Sequence, residues 1–216
     1  MSDPPLTQPT LLLKIRDAED EAAWERFVKI YTPLVFSYCR KRGLQEADAS
    51  DVAQEVMRTV AQAISRFDYN QAKGTFRGWL LTVTRNKLLK HFTKIQNLPM
   101  GSGRSTIQAK LEATPDAEET DHWNHDYQQR LFQWAASEVK SEFSDKTWSA
   151  FWRTAVENQP SQAVAESLEM SIGALYIAKS RVIARIRKQI EAVNGREDSV
   201  LWNESDGHSP KNPTQA

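Results

Sequence analysis

Apolar residues recur at spacings of three and four along most of this chain, the period of an amphipathic α-helix. The pattern first predicts a helix over residues 17–38, whose apolar face holds Ala23, Phe27, Ile30, Tyr31 and Leu34. Pro33 lies inside this helix. Because proline has no N–H for the helical hydrogen bond, we expect a break or kink near Thr32.

Two further helices follow in the first half. Gly43 is a stop signal, and Asp48 or Ser50 can cap a helix that runs to about Phe67. Its predicted apolar face is Val52, Val56, Val60, Ala63 and Ile64. Thr75 is the expected cap of the next helix, which continues to about Thr93.

Residues 96–121 lose the helical period and are rich in Gly, Ser, Pro and acids, which is typical of a linker. A second helical block follows, with helices predicted at 127–143, 145–158, 161–168 and 172–190. No run of strands is indicated. The fold class predicted is all-α, with two small helical domains joined by a flexible linker. The predicted ranges are an N-terminal extension (1–16), a first domain (17–95), the linker (96–121), a second domain (122–193) and a disordered tail (194–216).

The composition is that of an ordinary soluble protein, with 216 residues, 40% apolar and 26% charged. There is one cysteine, Cys39, so no intrachain disulfide can form, and we expect it to be buried and inert. No apolar run is long enough to span a membrane and no secretory signal is visible, so a cytoplasmic location is expected. No cofactor is predicted, and no metal, because His122 and His125 have no nearby cysteine to complete a site.

Charge is strongly segregated although the formal net charge is +0. Residues 69–111 contain eight cations and no acid, whereas residues 112–126 contain six acids and no Lys or Arg. Residues 170–190 contain five cations and again no acid. Two basic helices of this kind favour a polyanionic partner over a solvated face. Acid pairs such as Glu118-Glu119 are interpreted as solvated linker charge rather than a catalytic pair.

The stretch 161–181, "SQAVAESLEMSIGALYIAKSR", has the pattern of a helix-turn-helix. The positions expected to be buried between the two helices are Val164, Ala165, Leu168, Met170, Leu175 and Ala178. Ser171 is a good N-cap for the second helix, and Glu169 occupies a turn position often taken by glycine. The second helix is expected to turn Tyr176, Lys179, Ser180 and Arg181 outward, a mix suited to base edges and phosphates. The alternative is an αα-hairpin without a ligand.

The basic helix after Thr75 has two apolar stripes. Phe76, Trp79, Leu80 and Val83 form one, and Leu81, Leu88 and Phe92 form the other. One stripe can pack inward while the other offers aromatic rings beside cations, as unpaired bases require. From these residues alone, however, the interpretation of Phe76 and Trp79 as core anchors is favoured.

The segment "DVAQEVMRTVAQAISRFDYNQAKGTFRGWLLTVTRNKL" closely resembles region 2 of bacterial RNA polymerase sigma factors. It carries the D-x-x-Q-E-V, RFD and F-R-x-W-L…RN elements in the family's order, and Trp24, Phe27 and Tyr31 match the start of the region. The helix-turn-helix resembles region 4. Regions 2 and 4 alone are the layout of the extracytoplasmic-function class.

The resemblance implies a non-catalytic subunit that binds core RNA polymerase and directs promoter recognition, DNA melting and transcription initiation. Core-polymerase contacts carry over to Asp51, Gln54 and Glu55. Contacts with the melted −10 strand carry over to Phe76, Arg77, Trp79, Arg85, Asn86, Lys87 and Lys90. Contacts with the −35 duplex carry over to Ser171, Gly173, Tyr176, Lys179, Ser180, Arg181 and Arg185. An anti-sigma factor is a further candidate partner. The alternative is a stand-alone helix-turn-helix regulator whose N-terminal helices dimerise or sense a ligand.

Overall fold

The computed structural model describes residues 11–66, 75–96, 111 and 113–194, and within these ranges the regular structure is helical without a β-strand. The prediction of an all-α fold is therefore confirmed. We number the α-helices α1 (Leu11–Lys14), α2 (Glu21–Lys41), α3 (Glu46–Ala63), α4 (Phe76–Gln96), α5 (Ala117–Val139), α6 (Asp145–Phe151), α7 (Ser161–Ser167) and α8 (Ile172–Asn194). A 3₁₀ turn, Ile64–Arg66, follows α3, another, Lys140–Glu142, follows α5, and a π-helical turn, Trp152–Val156, continues α6. No helix in the described part of the chain is long and apolar enough to cross a membrane.

Two compact units divide the chain. One unit comprises residues 12–130, and the other contains residues 131–194 together with Leu11 among the described residues. Helix α5 contributes its first part to one unit and its last part to the other. The predicted N-terminal extension and tail lie largely outside the described residues.

Helix α2, the first long helix of this unit, continues through Pro33, so the chain does not break near Thr32. The Asp20 side chain caps the helix by accepting the Ala23 N–H at 2.9 Å. Pro33 is tolerated inside it because the flanking Ile30, Tyr31, Leu34 and Val35 are all buried, and their packing outweighs the loss of one hydrogen bond. The helix ends at Lys41, and Gly43, two residues later, has a φ of 88°, the left-handed backbone that glycine adopts without strain.

Helix α3 begins at Glu46, before both of the predicted caps, Asp48 and Ser50. Its N-cap is Gln45, which makes no side-chain capping hydrogen bond. Glu46 and Asp48 instead place negative charge in the first turn, where the helix dipole favours it. The predicted apolar face is buried over Val52, Val56 and Val60.

Both apolar stripes of helix α4 are largely buried, which corrects the expectation that one of them faces outward. Thr75 caps this helix as predicted, with its hydroxyl accepting the Gly78 N–H at 3.1 Å. Phe76 packs edge-on against Phe27 and Tyr31, and Phe92 is also in the core. Helix α3 packs on one side of α4, and the beginning of α5 contacts another, so both stripes are covered.

Helix α5 starts ten residues before the predicted start at Tyr127, inside the segment predicted to be a linker. The Asp116 side chain accepts the Glu119 N–H at 2.7 Å, which caps the new helix. Trp123 and Tyr127, four residues apart, are buried in the first unit. Packing of these two rings explains why a polar sequence forms a helix here.

The second unit is built from the end of α5 and helices α6, α7 and α8. In the segment predicted as a helix-turn-helix, Val164, Ala165, Leu175 and Ala178 are buried together with Ala150, and Leu168 and Met170 pack against this cluster. The turn between α7 and α8 closes when the Met170 N–H donates to the Ala165 carbonyl at 2.9 Å. Glu169 has a φ of 49°, the left-handed backbone expected where glycine is usual. Ser171 caps α8 as predicted, accepting the Ala174 N–H at 3.2 Å.

Candidate nucleic-acid and polymerase interfaces

The exposed face of α3 holds the three residues predicted to contact core polymerase. Asp51, Gln54 and Glu55 are all exposed, and their spacing places them on adjacent turns of one helix face. The opposite face carries the buried valines, so substitutions at the exposed positions leave the core untouched. The Glu55 carboxylate lies 3.8 Å from the Lys87 ammonium of α4. The exposed Arg58, one turn after Gln54, donates to the Gln54 carbonyl at 3.4 Å. The face therefore carries two carboxylates and an amide, with Arg58 and Lys87 as neighbouring cations.

The exposed face of α4 brings together three of the seven residues predicted for melted DNA. Asn86 and Lys90 are exposed, and Trp79, two turns before Asn86, is partly exposed. Spacings of seven and four place these side chains on one face, opposite the buried Leu81, Leu88 and Phe92. An aromatic ring, an amide and a cation thus share a surface without an acid. Such a surface can stack on a base, hydrogen-bond it and neutralise a phosphate.

Arg85, also predicted for DNA, lies on the inward side of α4 and is only 3% exposed. Its guanidinium forms an ion pair with Glu119 of α5 and donates to the carbonyl oxygens of Leu111 and Ala113, at 3.3 and 2.5 Å. A buried guanidinium must be neutralised and hydrogen-bonded, and these groups do both. Arg85 therefore fixes the start of α5 onto α4.

Glu119 is the centre of this cluster, which corrects its interpretation as solvated linker charge. It also pairs with Arg42 and accepts the Tyr38 hydroxyl at 2.6 Å. Arg42 in turn lies over the Tyr38 ring, 4.0 Å from its centroid. Burial raises the pKa of the Tyr38 hydroxyl, although the Arg42 and Arg85 charges act in the opposite direction. Glu118, by contrast, is exposed as predicted.

Phe76 and Arg77 also face the covered side of α4. Phe76 is buried among aromatic rings. The Arg77 side chain donates to Asn124 at 3.2 Å and lies 4.9 Å from the centre of the Tyr127 ring. The Arg77 carbonyl accepts the Trp123 indole N–H at 3.1 Å. Phe76, Arg77 and Arg85 are therefore engaged within the unit, apart from the face that carries Trp79, Asn86 and Lys90.

Sequence reasoning missed the contribution of α5 to this unit. Three polar or aromatic residues carry it, Glu119, Trp123 and Tyr127, supported by an ion pair between Lys41 and Asp126 at 2.7 Å. The available signal was Asp116-x-x-Glu119, a capping pattern, followed by aromatic residues four apart.

Helix α8 places most of the residues predicted for duplex DNA at the surface. Ser171, Gly173, Tyr176, Ser180 and Arg181 are exposed, and Lys179 is half-buried. Arg185 differs, because its guanidinium makes a two-point ion pair with Glu142 at 2.6 and 2.7 Å and a hydrogen bond to Gln189 at 3.2 Å. Its charge is thus already compensated within the second unit.

Comparisons with known proteins show what part of the first unit is similar to. Residues 27–97 match the family model of sigma-70 region 2. The ECF RNA polymerase sigma factor RpoE of Cereibacter sphaeroides is 33% identical over 84 residues, which are 39% of this chain and 45% of that relative. The match thus spans less than half of the relative's length. Both findings confirm the resemblance to an extracytoplasmic-function sigma factor that the region 2 motifs predict.

Proposed function

We propose that this chain is a dissociable, non-catalytic sigma factor that acts in the cytoplasm and directs core RNA polymerase to a set of promoters. The match of residues 27–97 to sigma-70 region 2 is the observation that carries the proposal. The exposed face of α3, with Asp51, Gln54 and Glu55, would dock on a basic surface of the polymerase. An anti-sigma factor that covers the same faces is a candidate regulator.

Under this proposal residues 17–95 act as region 2 and residues 122–193 as region 4, joined by residues 96–121. The melted −10 strand would lie on the α4 face that carries Trp79, Asn86 and Lys90, with Lys87 at its edge. Phe76 and Arg85 are buried, so under this proposal they hold α4 in place beneath that face and do not contact the strand. The −35 duplex would contact α8, whose described surface is basic without an acid between Met170 and Ile190.

Reconstitution with core RNA polymerase tests the proposal. The parent chain should co-purify with core polymerase and support promoter-dependent run-off transcription. The double variant Asp51→Lys with Glu55→Lys should weaken binding to core by at least about tenfold, because like charges then face each other across the interface. Both positions are exposed, so the helical circular dichroism spectrum should be unchanged.

A matched control carries the same charge reversal elsewhere. Glu118→Lys with Asp121→Lys changes two exposed acids on α5 at similar spacing and should keep its affinity for core. Equal affinity of both double variants would refute the α3 docking surface. A chain that binds duplex DNA by itself and never binds core would instead be a stand-alone helix-turn-helix regulator.

A further inference from the structure

Exposed apolar side chains cluster on the first two turns of α8. Among the described residues five large apolar side chains are exposed, and three of them, Ile172, Tyr176 and Ile177, lie within six positions of one another. Tyr176 and Ile177 are 54% and 56% exposed. Scattered exposed apolar residues are ordinary, but three of them on adjacent turns of one helix are a candidate binding surface.

The centre of this surface is a strip without charge. Gly173, Ile177, Ser180 and Ala184 are all exposed, and spacings of four, three and four align them opposite the buried Leu175, Val182 and Ile186. A methyl group added to Gly173 would have no neighbour within 4 Å. The strip is therefore open at Gly173, where a ligand can approach the helix backbone closely.

Cations lie beside the strip rather than in it. Arg181 follows Ile177 by four residues, and Arg187 and Lys188 follow Ala184 by three and four, so all three are next to the strip. An apolar protein partner would match the strip but would not require this flanking charge. A duplex would match both, with base edges at the centre and phosphates at the sides.

The chemistry of the strip limits how it can read bases. It has no Arg, Lys, Asn, Gln, Asp or Glu side chain, the groups that form paired hydrogen bonds with base edges. Hydroxyl groups on Ser180 and the adjacent Tyr176 are the polar exceptions. The apolar group that the major groove offers is the C5-methyl of thymine.

We infer that α8 recognises thymine in the duplex by apolar contact, with Ile177 and Tyr176 packed against C5-methyl groups in the major groove. The inference rests on the proposed role of α8 in binding duplex promoter DNA. Gly173 and Ser180 allow the close approach, and Arg181, Arg187 and Lys188 hold the backbone phosphates. The bound sequence should contain thymine at one or two positions of the half-turn that faces the strip.

Replacement of thymine by deoxyuridine tests this contact, because the two bases differ by the methyl group alone. Duplexes are first selected from a random-sequence pool with the complex of the full chain and core polymerase. Thymines in the selected −35 site are then replaced one at a time. Each replacement at a contacted position should lower affinity roughly fourfold, the effect of one methyl group removed from water.

The protein variants make the assignment specific. Ile177→Ala and Tyr176→Ala should each bind more weakly and lose the difference between thymine and deoxyuridine at one position. Val28→Ala, which truncates an exposed apolar side chain on α2, should keep both affinity and discrimination. Thermal unfolding of each variant shows that the fold is retained.

Every other outcome overturns the inference. Equal binding of thymine and deoxyuridine duplexes by the parent chain excludes methyl contacts, even if run-off transcription shows that the chain is a sigma factor. Variants that lose affinity for core polymerase but keep DNA discrimination would assign the surface to a protein partner. If the complex selects no duplex and supports no transcription, the proposed function fails together with the inference.

Discussion

Arg85 shows that the role of a single side chain depends on a partner distant in sequence. Its position next to Asn86 in a basic helix predicts a DNA contact, yet its guanidinium is buried against Glu119, 34 residues later. Helix periodicity separates Arg85 and Asn86 by about 100° around the axis, so neighbours in sequence face different surroundings. Which of the two faces solvent depends on α5, and no local pattern around Arg85 contains that information.

Glu169 provides a test of backbone strain at one residue. Its φ of 49° is unfavourable for a residue with a Cβ atom. Glu169→Gly should therefore raise the free energy of unfolding of the second unit by about 1 kcal/mol. Chemical denaturation followed by circular dichroism measures the change.

In the control variant the same substitution to glycine should change the free energy of unfolding in the opposite direction. Glu166 lies within helix α7, where glycine lowers stability, so Glu166→Gly should destabilise the unit by about 1 kcal/mol. If both variants lose stability, the turn does not require a left-handed residue at position 169.

Cys39 makes the first unit sensitive to alkaline pH. Burial raises the pKa of its thiol to about 12, while the Arg42 charge lowers it by a smaller amount. At alkaline pH the folded chain then keeps a thiol proton that the unfolded chain loses. The contribution of Cys39 to the free energy of unfolding is therefore complete below the pKa of the unfolded thiol, and it falls as the pH rises toward the pKa of the folded thiol. A Cys39→Ala variant should lack this part of the pH dependence.

Alkylation of this single cysteine measures the same effect. At about pH 8 the folded chain should react with iodoacetamide roughly a thousandfold more slowly than the chain in urea, because far less thiolate is present. Equal rates would mean that the Cys39 environment is open to solvent.

Helix α5 shows how element boundaries are lost when packing rather than periodicity stabilises a helix. Its first turns contain Glu118, Asp121 and His122, which read as a polar linker. Two buried rings, Trp123 and Tyr127, and an ion pair to Arg85 supply the stabilisation instead. In the same way, the sequence of α4 shows two apolar stripes, but that both are buried can be predicted only when α5 is known to pack against this helix.

Glu119→Gln should weaken the attachment of α5 to the first unit. The change removes the charge that faces Arg85 and Arg42 and leaves a buried guanidinium uncompensated, at a cost of roughly 3 kcal/mol in unfolding free energy. Glu118→Gln alters the exposed neighbour and should change stability by less than about 0.5 kcal/mol. Similar effects of the two substitutions would contradict the cluster assigned to Glu119.

For the whole molecule, fold class and the helix-turn-helix core could be predicted because they follow from periodic apolar positions. Leu175 and Ala178 lie at helical spacing in α8 and pack against Val164 of the neighbouring α7, so their burial depends on no residue distant in sequence. The division of α4 residues between surface and core could not be predicted, since it depends on contacts with Trp123 and Glu119. The confirmed family resemblance identified the elements but not which side of each helix is exposed.

Asn86→Ala tests how the molecule as a whole would open a promoter. The substitution should leave duplex binding through α8 unchanged and reduce DNA melting by roughly tenfold, about the contribution of one base contact. Permanganate reactivity of promoter thymines measures melting, and binding to a pre-melted template measures the strand contact. Gln62→Ala, which removes an exposed amide from α3, is the control and should melt DNA like the parent.

The ion-paired start of α5 also sets the smallest fragment of this chain that can be expected to fold alone. A fragment that stops near residue 97, where the family match ends, would lack Glu119, Trp123 and Tyr127. It would expose apolar surface on α2 and α4 and leave Arg85 without its carboxylate. A fragment that extends to Arg130 keeps these groups, so expression and crystallisation of the first unit should use this later end point.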